Sequence, residues 1–403
     1  MSKILFLSNG HGEDLSGSLI GNAFKKLGHE VKALPLVGHG EAYLNEGLKV
    51  LGKTKSFSTG GMGYTSLRGR ILELIQGQII YLIKRIYLLF SISSKYDLLV
   101  VVGDVLPITV AWLTGLPVAT YLVAYSSHYE GKLKLPWPCS ICLSNDRFFK
   151  IFTRDKLSAD DLKKQIVGKV EFIGNPFMDP FITNHQSLPK HNKRLGILPG
   201  SRMPEVGDNL CLILRVIDYI SNIKYEDYDI SFDVALVSSL NDSLLKKIIT
   251  PYGWKLCYRS NKDHPLKLIK NNSVVNIYRN SFLKVVQSSN VLISMAGTAT
   301  EQAVLLGKLV VQIEGKGPQF TRTFAEAQRR LLGTKIFCAN GSVLQKKYMI
   351  ETCNLILDLL DSSSKNFFYK EKDNKLNLEQ KSVRLASETM AKSISDSFFI
   401  DKI

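Results

Sequence analysis

The chain has 403 residues, of which 45% are hydrophobic and 22% are charged. This length fits two domains of ordinary size or one large one, and the composition excludes a disordered chain, a collagen-like repeat and a disulfide scaffold. Lysine and arginine outnumber aspartate and glutamate by 52 to 36, and the resulting formal net charge of +16 indicates an anionic partner: nucleic acid, an acidic membrane surface or a phosphorylated substrate.

Short apolar runs alternate with helical patterns through the first part of the chain, which is typical of a parallel, doubly wound sheet. The runs lie at residues 3–8, 30–36, 98–102, 118–123, 151–153 and 170–173.

Two further features of the sequence concern the compartment. The first apolar run begins at residue 3, with no small-residue cleavage site after a long apolar stretch, and this argues against a secretory signal. Six scattered cysteines indicate free thiols in a reducing cytoplasm.

Two apolar stretches have the length of a membrane span. Residues 105–127 carry no formal charge, but Pro107, Gly115 and Pro117 divide them into pieces of helix and strand length, as expected in an α/β domain. Residues 71–92 contain charged side chains, and their apolar residues recur at helical spacing. This second stretch fits two interpretations equally well: a helix that docks on an anionic lipid surface, or a helix that packs on the core.

A proline-containing polar stretch at residues 175–193 interrupts the alternation and predicts a domain boundary. The alternation then resumes, so we expect a second α/β domain, with the two domains facing a cleft where strand carboxyl ends bind ligands. A last helix either caps the second domain or returns to the first. The predicted organisation is a Rossmann-like domain at 1–178, a linker at 179–193, a second Rossmann-like domain at 194–375 and a C-terminal helix at 376–403.

One loop of the second domain combines glycine with small hydroxyl residues at the start of a predicted helix. Gly297, Thr298 and Thr300 would bring free N–H groups, hydroxyl donors and the positive end of a helix dipole to one place, which suits a pyrophosphate. One turn later, Glu301 or Gln302 would take ribose hydroxyls. A plain helix with a threonine cap fits the same pattern.

A second loop, Leu198–Val206, follows the first apolar run of that domain. Gly200 lets the backbone approach an anion, Ser201 donates a hydrogen bond, and Arg202 offers a bidentate charge that binds phosphate without a metal. The alternative is a structural loop whose arginine only pairs with Glu205. The phosphate interpretation is favoured because Pro-Gly-Ser-Arg at a strand end is unusual in a purely structural loop.

The loop after the first strand is also rich in glycine. Gly10 and Gly12 allow a ligand to approach the backbone, and His11, Glu13 and Asp14 are candidate acid or base groups. The loop lacks the dinucleotide-binding fingerprint, so it gives only weak support for a nucleotide.

Asp104 directly follows an apolar run, at the point where a predicted strand meets the cleft. Partial burial raises the pKa of a carboxyl group at such a position, which suits a general base. A helix N-cap before Pro107 explains the residue equally well.

Three motifs, in this order, resemble those of lipid-A-disaccharide synthase, and most closely those of the synthase-related branch of that family. They are Ile173–Asp179, the Leu-Pro-Gly-Ser-Arg-x-x-Glu-Val element at Leu198–Val206, and Gly297–Thr300. The match spans most of the chain, and the second element is specific. The resemblance implies a metal-independent, inverting glycosyltransferase of the GT-B fold, with no cofactor because the UDP-sugar is a substrate.

The family enzyme transfers a diacylated glucosamine from UDP to a lipid-linked glucosamine 1-phosphate at the cytoplasmic membrane face. The partners implied here are a UDP-sugar donor, a lipid or glycolipid acceptor and an anionic membrane surface. The implied location is cytoplasmic, peripheral on the inner face of the membrane. Nucleic acid is not an expected partner, because the basic residues are dispersed and no recognition module is present.

When the roles of the family's residues are transferred to the matching positions of this sequence, the donor diphosphate lies on the two loops of the second domain. Asp104 then takes the place of the base that deprotonates the attacking hydroxyl. The first loop would face the acceptor. The catalytic candidates are Asp104, His11 and Glu13; the donor-binding candidates are Gly200, Ser201, Arg202, Glu205, Gly297, Thr298, Thr300, Glu301, Gln302 and Gln319; and the acceptor-binding candidates are Asn9, Gly10, Gly12 and Asn175.

The chain departs from the family in its first loop, which differs from the usual Gly-Glu-Ala-Ser-Gly-Asp, and at Ala296, where the family has serine. The segment Gly315–Arg322, which contains Gln319, either closes over the donor or is a solvated loop. Two other functions remain open: a UDP-N-acetylglucosamine 2-epimerase, which shares the two-domain frame, and a family member that binds nucleotide-sugar or lipid without turnover.

Overall fold

The chain folds into two α/β domains, each built around its own sheet. One domain comprises Met1–Ile182 with Val383–Ile403, and the other comprises Thr183–Ser382. We refer to them as the N-terminal and C-terminal domains. The structure, a computed structural model, describes residues 1–55, 77–166, 169–223, 229–258, 265–315, 321–365 and 385–400.

The N-terminal sheet has seven strands, and every pair of neighbours is parallel. The strands are β1 (Lys3–Ser8), β2 (Glu30–Pro35), β3 (Lys49–Val50), β4 (Leu98–Gly103), β5 (Val118–Leu122), β6 (Phe148–Thr153) and β7 (Val170–Glu171). Their spatial order is β3-β2-β1-β4-β5-β6-β7. The strand order therefore reverses between β1 and β4, and ligands of doubly wound sheets bind at the carboxyl ends beside such a switch point.

Helices cover both faces of this sheet. On one face, Phe24 of the first helix and Met390 of the C-terminal helix Ala386–Ile400 share a buried core with Phe6 of the sheet. On the other face, Leu89 and Ile108 share a second core with Val101. The helices are α1 (His11–Lys26), α2 (Glu41–Asn45), α3 (Gln78–Ser93), α4 (Val105–Leu113), α5 (Ser127–Glu130), α6 (Cys139–Leu143), α7 (Lys156–Gln165) and α8 (Asp179–Thr183).

The C-terminal sheet has eight strands in the order β10-β11-β12-β9-β8-β13-β14-β15. They are β8 (Lys193–Leu198), β9 (Ile230–Leu236), β10 (Lys255–Cys257), β11 (Leu266–Lys270), β12 (Ser273–Arg279), β13 (Val291–Ser294), β14 (Leu309–Gln312) and β15 (Ile336–Cys338). Here the order reverses between β8 and β13, so a second switch point lies beside the carboxyl ends of these two strands.

One edge of the C-terminal sheet is antiparallel, which adds a hairpin to the expected α/β domain. β10 pairs with β11, and β11 with β12, in antiparallel register. Lys270 pairs with Ser273, so only two residues close the hairpin, and Asn271 has a positive φ of 49°. Asparagine tolerates this left-handed conformation, which a two-residue hairpin turn requires.

Six helices accompany the C-terminal sheet in the described residues. The apolar side of the first, including Leu210 and Ile213, packs into a core that also holds Val234 and Ile293. The helices are α9 (Glu205–Ile223), α10 (Asp242–Ile249), α11 (Phe282–Ser288), α12 (Thr298–Leu305), α13 (Arg322–Leu332) and α14 (Lys346–Lys365).

The predicted linker at 179–193 is not a uniform connecting segment. Its first residues form α8, and Asp179 accepts hydrogen bonds from the backbone N–H groups of Ala386 at 3.0 Å and Ser387 at 2.9 Å. These bonds cap the C-terminal helix, which packs in the N-terminal domain. The domains divide after Ile182, inside the predicted linker, because this distant cap holds α8 in the first domain.

The predicted helix at 71–92 is observed as α3, from Gln78 onward, whereas residues 71–76 lie outside the described ones. In the part of the chain that the structure describes, no helix is both long enough and apolar enough to cross a bilayer.

Candidate functional site

The loops singled out in the sequence flank the two switch points. In the N-terminal domain they follow β1 and β4, which pair directly. In the C-terminal domain they follow β8 and β13, which also pair directly. Adjacent parallel strands end at the same edge of a sheet, so each domain brings its own two loops together.

Asp104 is the residue that follows β4, and both of its carboxyl oxygens are hydrogen-bonded. Oδ1 accepts from the backbone N–H of Leu106 at 3.0 Å and thereby caps α4. Oδ2 accepts from Nδ2 of Asn9 at 2.9 Å. Burial raises the pKa of Asp104, and these two hydrogen bonds oppose that rise. Asp104 is therefore the N-cap of α4. Its carboxyl group is also half-buried at the switch point, where the general base is expected.

The two loops approach each other closely because Gly103 has no side chain. Its φ is +154°, and a Cβ placed there would lie 3.4 Å from Cβ of Asn9 and 3.0 Å from Cγ of Pro107. On the other side, the backbone N–H of Val105 donates to the Tyr125 hydroxyl at 2.9 Å. Tyr125 lies in the loop after β5, and no motif in the sequence points to it.

Gly10 precedes α1, and His11 is the first residue of that helix. Gly10 has a φ of +138°, a backbone conformation that favours glycine. A Cβ placed there would have no described atom within 4 Å, so a side chain would meet no steric clash. The Gly10 carbonyl accepts from the backbone N–H of Asp14 at 2.8 Å. Gly12 and Glu13 are half-buried in the first turn of α1.

A buried hydrogen-bonded chain lies beneath this loop. The Tyr43 hydroxyl donates to Oγ of Ser8 at 3.0 Å, and the Ser8 hydroxyl donates to Oδ1 of Asp14 at 2.6 Å. Burial raises the pKa of Asp14 to about 6, against the lowering effects of the Ser8 hydrogen bond and the Arg85 charge. The sequence shows Asp14 only as a candidate acid or base and gives no sign of its bond to Ser8 or of the bond from Tyr43 to Ser8.

Asn175, an expected acceptor contact, lies beyond β7 near the same edge. Its side-chain oxygen accepts from the Tyr121 hydroxyl at 2.7 Å, and Tyr121 is buried in β5. Asn175 is itself half-buried. The side chain of Asn175 is therefore bonded to β5, two strands from β7 in the sheet.

In the C-terminal domain, the loop after β8 has a fixed backbone. Gly200 has a φ of +99°, which favours glycine. Buried Asn209 of α9 donates to the Pro199 carbonyl oxygen at 2.9 Å, and the backbone N–H of Met295 donates to the Leu198 carbonyl oxygen at 2.8 Å. The second of these bonds joins the loop after β8 to the loop after β13.

The polar side chains of this loop differ in exposure. Ser201 is exposed and Arg202 is half-buried, while Glu205 begins α9. Burial raises the pKa of Glu205, and the Arg202 charge opposes the rise. Oε2 of Glu205 is buried with no hydrogen-bond partner in the described residues.

Thr300 stabilises the loop after β13 from inside. It is fully buried, and its hydroxyl lies 2.7 Å from that of Ser294 and donates to the Ala296 carbonyl oxygen at 2.7 Å. Gly297 and Thr298 are half-buried at the start of α12, and Glu301 and Gln302 of its first turn and a half are buried. The Thr300 hydroxyl is thus hydrogen-bonded within the loop.

A glutamine pair that the sequence analysis did not identify supports this loop. Gln328 of α13 donates to the Gly297 carbonyl oxygen at 3.2 Å, and Gln312 at the end of β14 donates to Oε1 of Gln328. Both side chains are buried. Gln319, an expected donor contact, lies outside the described residues.

No group of three or more His, Cys, Asp or Glu side chains in the described ranges is arranged to hold a metal ion. The loop after β8 carries a basic side chain, Arg202, and Glu205 begins the helix that follows it.

The sequence matches no protein-family model and no curated protein. Solved structures, however, match almost the whole chain. The spinosyn forosaminyltransferase SpnP has a TM-score of 0.56 at 12% identity over 98% of this chain and 99% of its own. The spinosyn rhamnosyltransferase SpnG has a TM-score of 0.55 at 13% identity over 98% of this chain and 100% of its own.

A third solved structure with comparable similarity is the UDP-GlcNAc 2-epimerase from Neisseria meningitidis bound to UDP-GlcNAc. Its TM-score is 0.55 at 15% identity, over 98% of this chain and 99% of its own. The chain has the GT-B fold. Identities this low show the fold alone, which nucleotide-sugar glycosyltransferases and 2-epimerases share.

Proposed function

We propose that this GT-B protein is a UDP-sugar-dependent glycosyltransferase whose acceptor is lipid-linked, as in lipid-A-disaccharide synthase. The observation that carries the proposal is the pairing of the two expected donor loops at one switch point, through the bond from Met295 N–H to the Leu198 carbonyl. The resemblance of both loops to the synthase motifs supports the same assignment.

The donor diphosphate would lie against the loop after β8 and the start of α12. Arg202 supplies a permanent positive charge and Ser201 an exposed hydroxyl donor. The backbone N–H groups at Gly297 and Thr298 add the positive end of the α12 dipole. These groups would stabilise the charge that develops on departing UDP without a metal ion. Glu301 and Gln302 are the candidates for the ribose hydroxyls.

Transfer requires a base for the acceptor hydroxyl, and Asp104 is the first candidate. The acceptor oxygen would form a bond to the anomeric carbon while the bond from that carbon to the diphosphate breaks and Asp104 takes the hydroxyl proton. The raised pKa of Asp104 makes it a better proton acceptor than an ordinary aspartate. His11 is the second candidate, with Glu13 beside it. Gly10, Gly12 and Asn175 would line the acceptor side.

The lipid character of the acceptor is supported by α3. One side of this helix packs on the sheet through buried Leu89, and buried Arg85 donates to the Pro35 carbonyl oxygen at 2.6 Å. The opposite side is exposed yet apolar, with Lys84 among its residues. We call these five residues the α3 face: Ile79 (54% exposed), Ile80 (62%), Ile83 (60%), Tyr87 (75%) and Phe90 (41%).

Such a surface suits the boundary between lipid headgroups and acyl chains. The positive net charge would add attraction to an anionic leaflet. We therefore propose a cytoplasmic protein that is peripheral on the inner face of the membrane, where it meets its lipid-linked acceptor.

The second candidate is a UDP-GlcNAc 2-epimerase, because the Neisseria meningitidis epimerase matches the chain as well as the transferases do. An epimerase acts at C2 of the donor sugar and needs no lipid-facing surface, so the α3 face favours the transferase. A chain that binds nucleotide-sugar without turnover is the third possibility.

The deciding experiment is calorimetric titration with UDP, UDP-GlcNAc and a diacylated UDP-glucosamine, without metal and then with magnesium. Metal-independent binding that strengthens with the acylated donor supports the transferase. NMR of UDP-GlcNAc incubated with the protein would show a 2-epimer if the protein is an epimerase. Absence of binding to all three compounds would overturn the donor assignment.

Arg202→Ala tests the placement of the diphosphate. Loss of a bidentate charged contact should weaken UDP binding at least tenfold, since hydrogen bonds to charged groups contribute about 1.5–3 kcal/mol. Arg215→Ala, at an exposed position farther along α9, is the matched control. Unchanged UDP affinity in Arg202→Ala would show that the diphosphate binds elsewhere.

A further inference from the structure

The side chains of Asn9 and Asp104 connect the two loops at the N-terminal switch point. Asn9 follows β1, Asp104 follows β4, and the two residues are 95 positions apart in the chain. From the sequence, Asn9 is expected to contact the acceptor. In the structure its Nδ2 donates to Oδ2 of Asp104 at 2.9 Å.

Helix capping explains only half of the hydrogen bonding at Asp104. The cap of α4 uses Oδ1, which accepts the Leu106 N–H at 3.0 Å. An N-cap needs one side-chain oxygen. The second oxygen receives a separate donor, from a different strand, and the two bonds together fix the rotation of the carboxyl group about its Cβ–Cγ bond.

The backbone is shaped to permit this contact. Gly103 carries a φ of +154°, and a Cβ there would come within 3.4 Å of Cβ of Asn9. Any other residue at position 103 would be strained in this conformation, and its Cβ would lie only 3.0 Å from Cγ of Pro107. Gly103 therefore suits the backbone that brings Asn9 within reach of Asp104.

We propose that Asn9 is a positioning residue, which holds the Asp104 carboxylate in one orientation and favours its ionised form. This inference rests on the proposed function, in which Asp104 accepts the proton of the acceptor hydroxyl. Asn9 acts through Asp104 and need not touch either substrate.

The amide also affects the proton affinity of the base. Burial raises the pKa of Asp104, and the Asn9 N–H lowers it because it bonds to the charged form. Cys139 on α6 is buried with a pKa raised to about 12, so it stays neutral beside Asp104. Among the side chains that the structure describes, the Tyr125 hydroxyl contacts the backbone N–H of Val105, next to Asp104, and Glu13 and Asp14 lie in the first turn of α1, which begins two residues after Asn9.

The test compares Asn9→Leu, which keeps the approximate volume but removes the donor, with Asn9→Ser, which retains a short donor. The Cγ resonances of ¹³C-labelled aspartate report the titration of Asp104, assigned by its loss in Asp104→Asn. We expect Asn9→Leu to raise the pKa of Asp104 by about one unit, a tenfold change in proton affinity, and Asn9→Ser to restore part of it.

Turnover gives the second readout. In Asn9→Leu the acidic limb of the kcat profile should move to higher pH by the same amount, with KM for the donor changed less than twofold. UDP affinity and the melting temperature verify that the variants are folded. An Asp104 titration in Asn9→Leu that matches the wild type would overturn the inference.

The two readouts separate this inference from the proposed function. If the wild type transfers no sugar, the proposed function fails, whereas the carboxyl titration still decides whether Asn9 controls Asp104. If the wild type is active and Asp104→Asn is equally active, Asp104 is not the base and the positioning role is overturned with it.

Discussion

Asn209 donates its Nδ2 hydrogen to the Pro199 carbonyl oxygen over 2.9 Å, which joins the second turn of α9 to the loop after β8. Only 1% of Asn209 is exposed, and its neighbours Val206, Leu210 and Ile213 are all buried apolar residues. A buried amide among apolar side chains is unfavourable unless it is hydrogen-bonded. Its bond to Pro199 fixes the peptide that precedes Gly200, and thereby the backbone proposed to meet the donor.

Replacement of this amide should disturb the loop selectively. Asn209→Leu keeps the branch at Cγ and removes Oδ1, which has no hydrogen-bond partner in the described residues, but it leaves the Pro199 carbonyl without its donor, at a cost of about 1–3 kcal/mol in unfolding free energy. UDP binding should weaken as well, because the backbone at Gly200 is no longer fixed. Calorimetry and urea unfolding measure the two effects.

The matched control is Asn222→Leu near the end of the same helix, where the amide is exposed and donates at 3.4 Å to Asp218. It should leave UDP affinity unchanged. An Asn209→Leu protein that binds UDP as tightly as the wild type would show that this bond does not shape the donor loop.

Asp14 should make stability fall as the pH rises. Its folded pKa of about 6 lies above the ordinary value of 3.8, so the folded state holds a proton that the unfolded state has lost between these values. Its contribution to stability is fully present below pH 4 and is lost as the pH rises through 6. At one pKa unit per 1.36 kcal/mol, the loss is about 3 kcal/mol.

Asp14→Asn removes this titration and retains an acceptor for the Ser8 hydroxyl. The variant should gain unfolding free energy relative to the wild type above pH 6 and lose that advantage below pH 4. Urea unfolding across this range measures the difference, with Asp160→Asn, at an exposed site on α7, as the control for removal of a carboxylate. A constant difference between Asp14→Asn and wild type across the range would contradict the expectation.

Much of the fold could be predicted because buried parallel strands are continuous apolar runs. All six residues of β4 are buried, as its run of leucine and valine indicates. Strand order could not be read from such runs, but the motifs at 198–206 and 294–302 lie after strands and before helices. That local context was enough to predict that both loops lie between a strand and a helix of one domain.

The contacts that shape the candidate site were not predictable in the same way. Asn9 and Asp104 are 95 residues apart, and Asp179 and Ala386 are 207 apart, so no local pattern reports either bond. Thr300 illustrates a different limit. The sequence shows a hydroxyl at the start of a helix. Only the structure shows that this hydroxyl is hydrogen-bonded to the Ser294 hydroxyl and to the Ala296 carbonyl oxygen.

Asp179 provides a test of the C-terminal helix. Asp179→Ala removes the acceptor for two backbone N–H groups and should lower the unfolding free energy of the N-terminal domain by about 1–2 kcal/mol. Amide exchange in residues 386–400 should quicken, while UDP binding, which we assign to the C-terminal domain, stays unchanged. Asp179→Asn, which keeps one acceptor, should be intermediate. Unchanged exchange in the alanine variant would mean that packing alone holds this helix.

The α3 face should determine binding to lipid. The triple variant Ile79→Ser, Ile83→Ser and Tyr87→Ser removes three side chains that are each more than half exposed. At about 1 kcal/mol for each, binding to vesicles that contain phosphatidylglycerol should fall roughly 100-fold. Because the opposite side of α3 is untouched, the melting temperature should be unchanged.

The matched control replaces Tyr252 and Leu344, which are exposed apolar residues of the C-terminal domain (48% and 55%). These changes lower exposed apolar area without altering α3, so vesicle binding should persist. Raised salt should weaken wild-type binding only in part, since burial of apolar area is not screened. If the triple variant binds vesicles within twofold of the wild type, α3 is not the lipid-facing element and the acceptor must be reached from another surface.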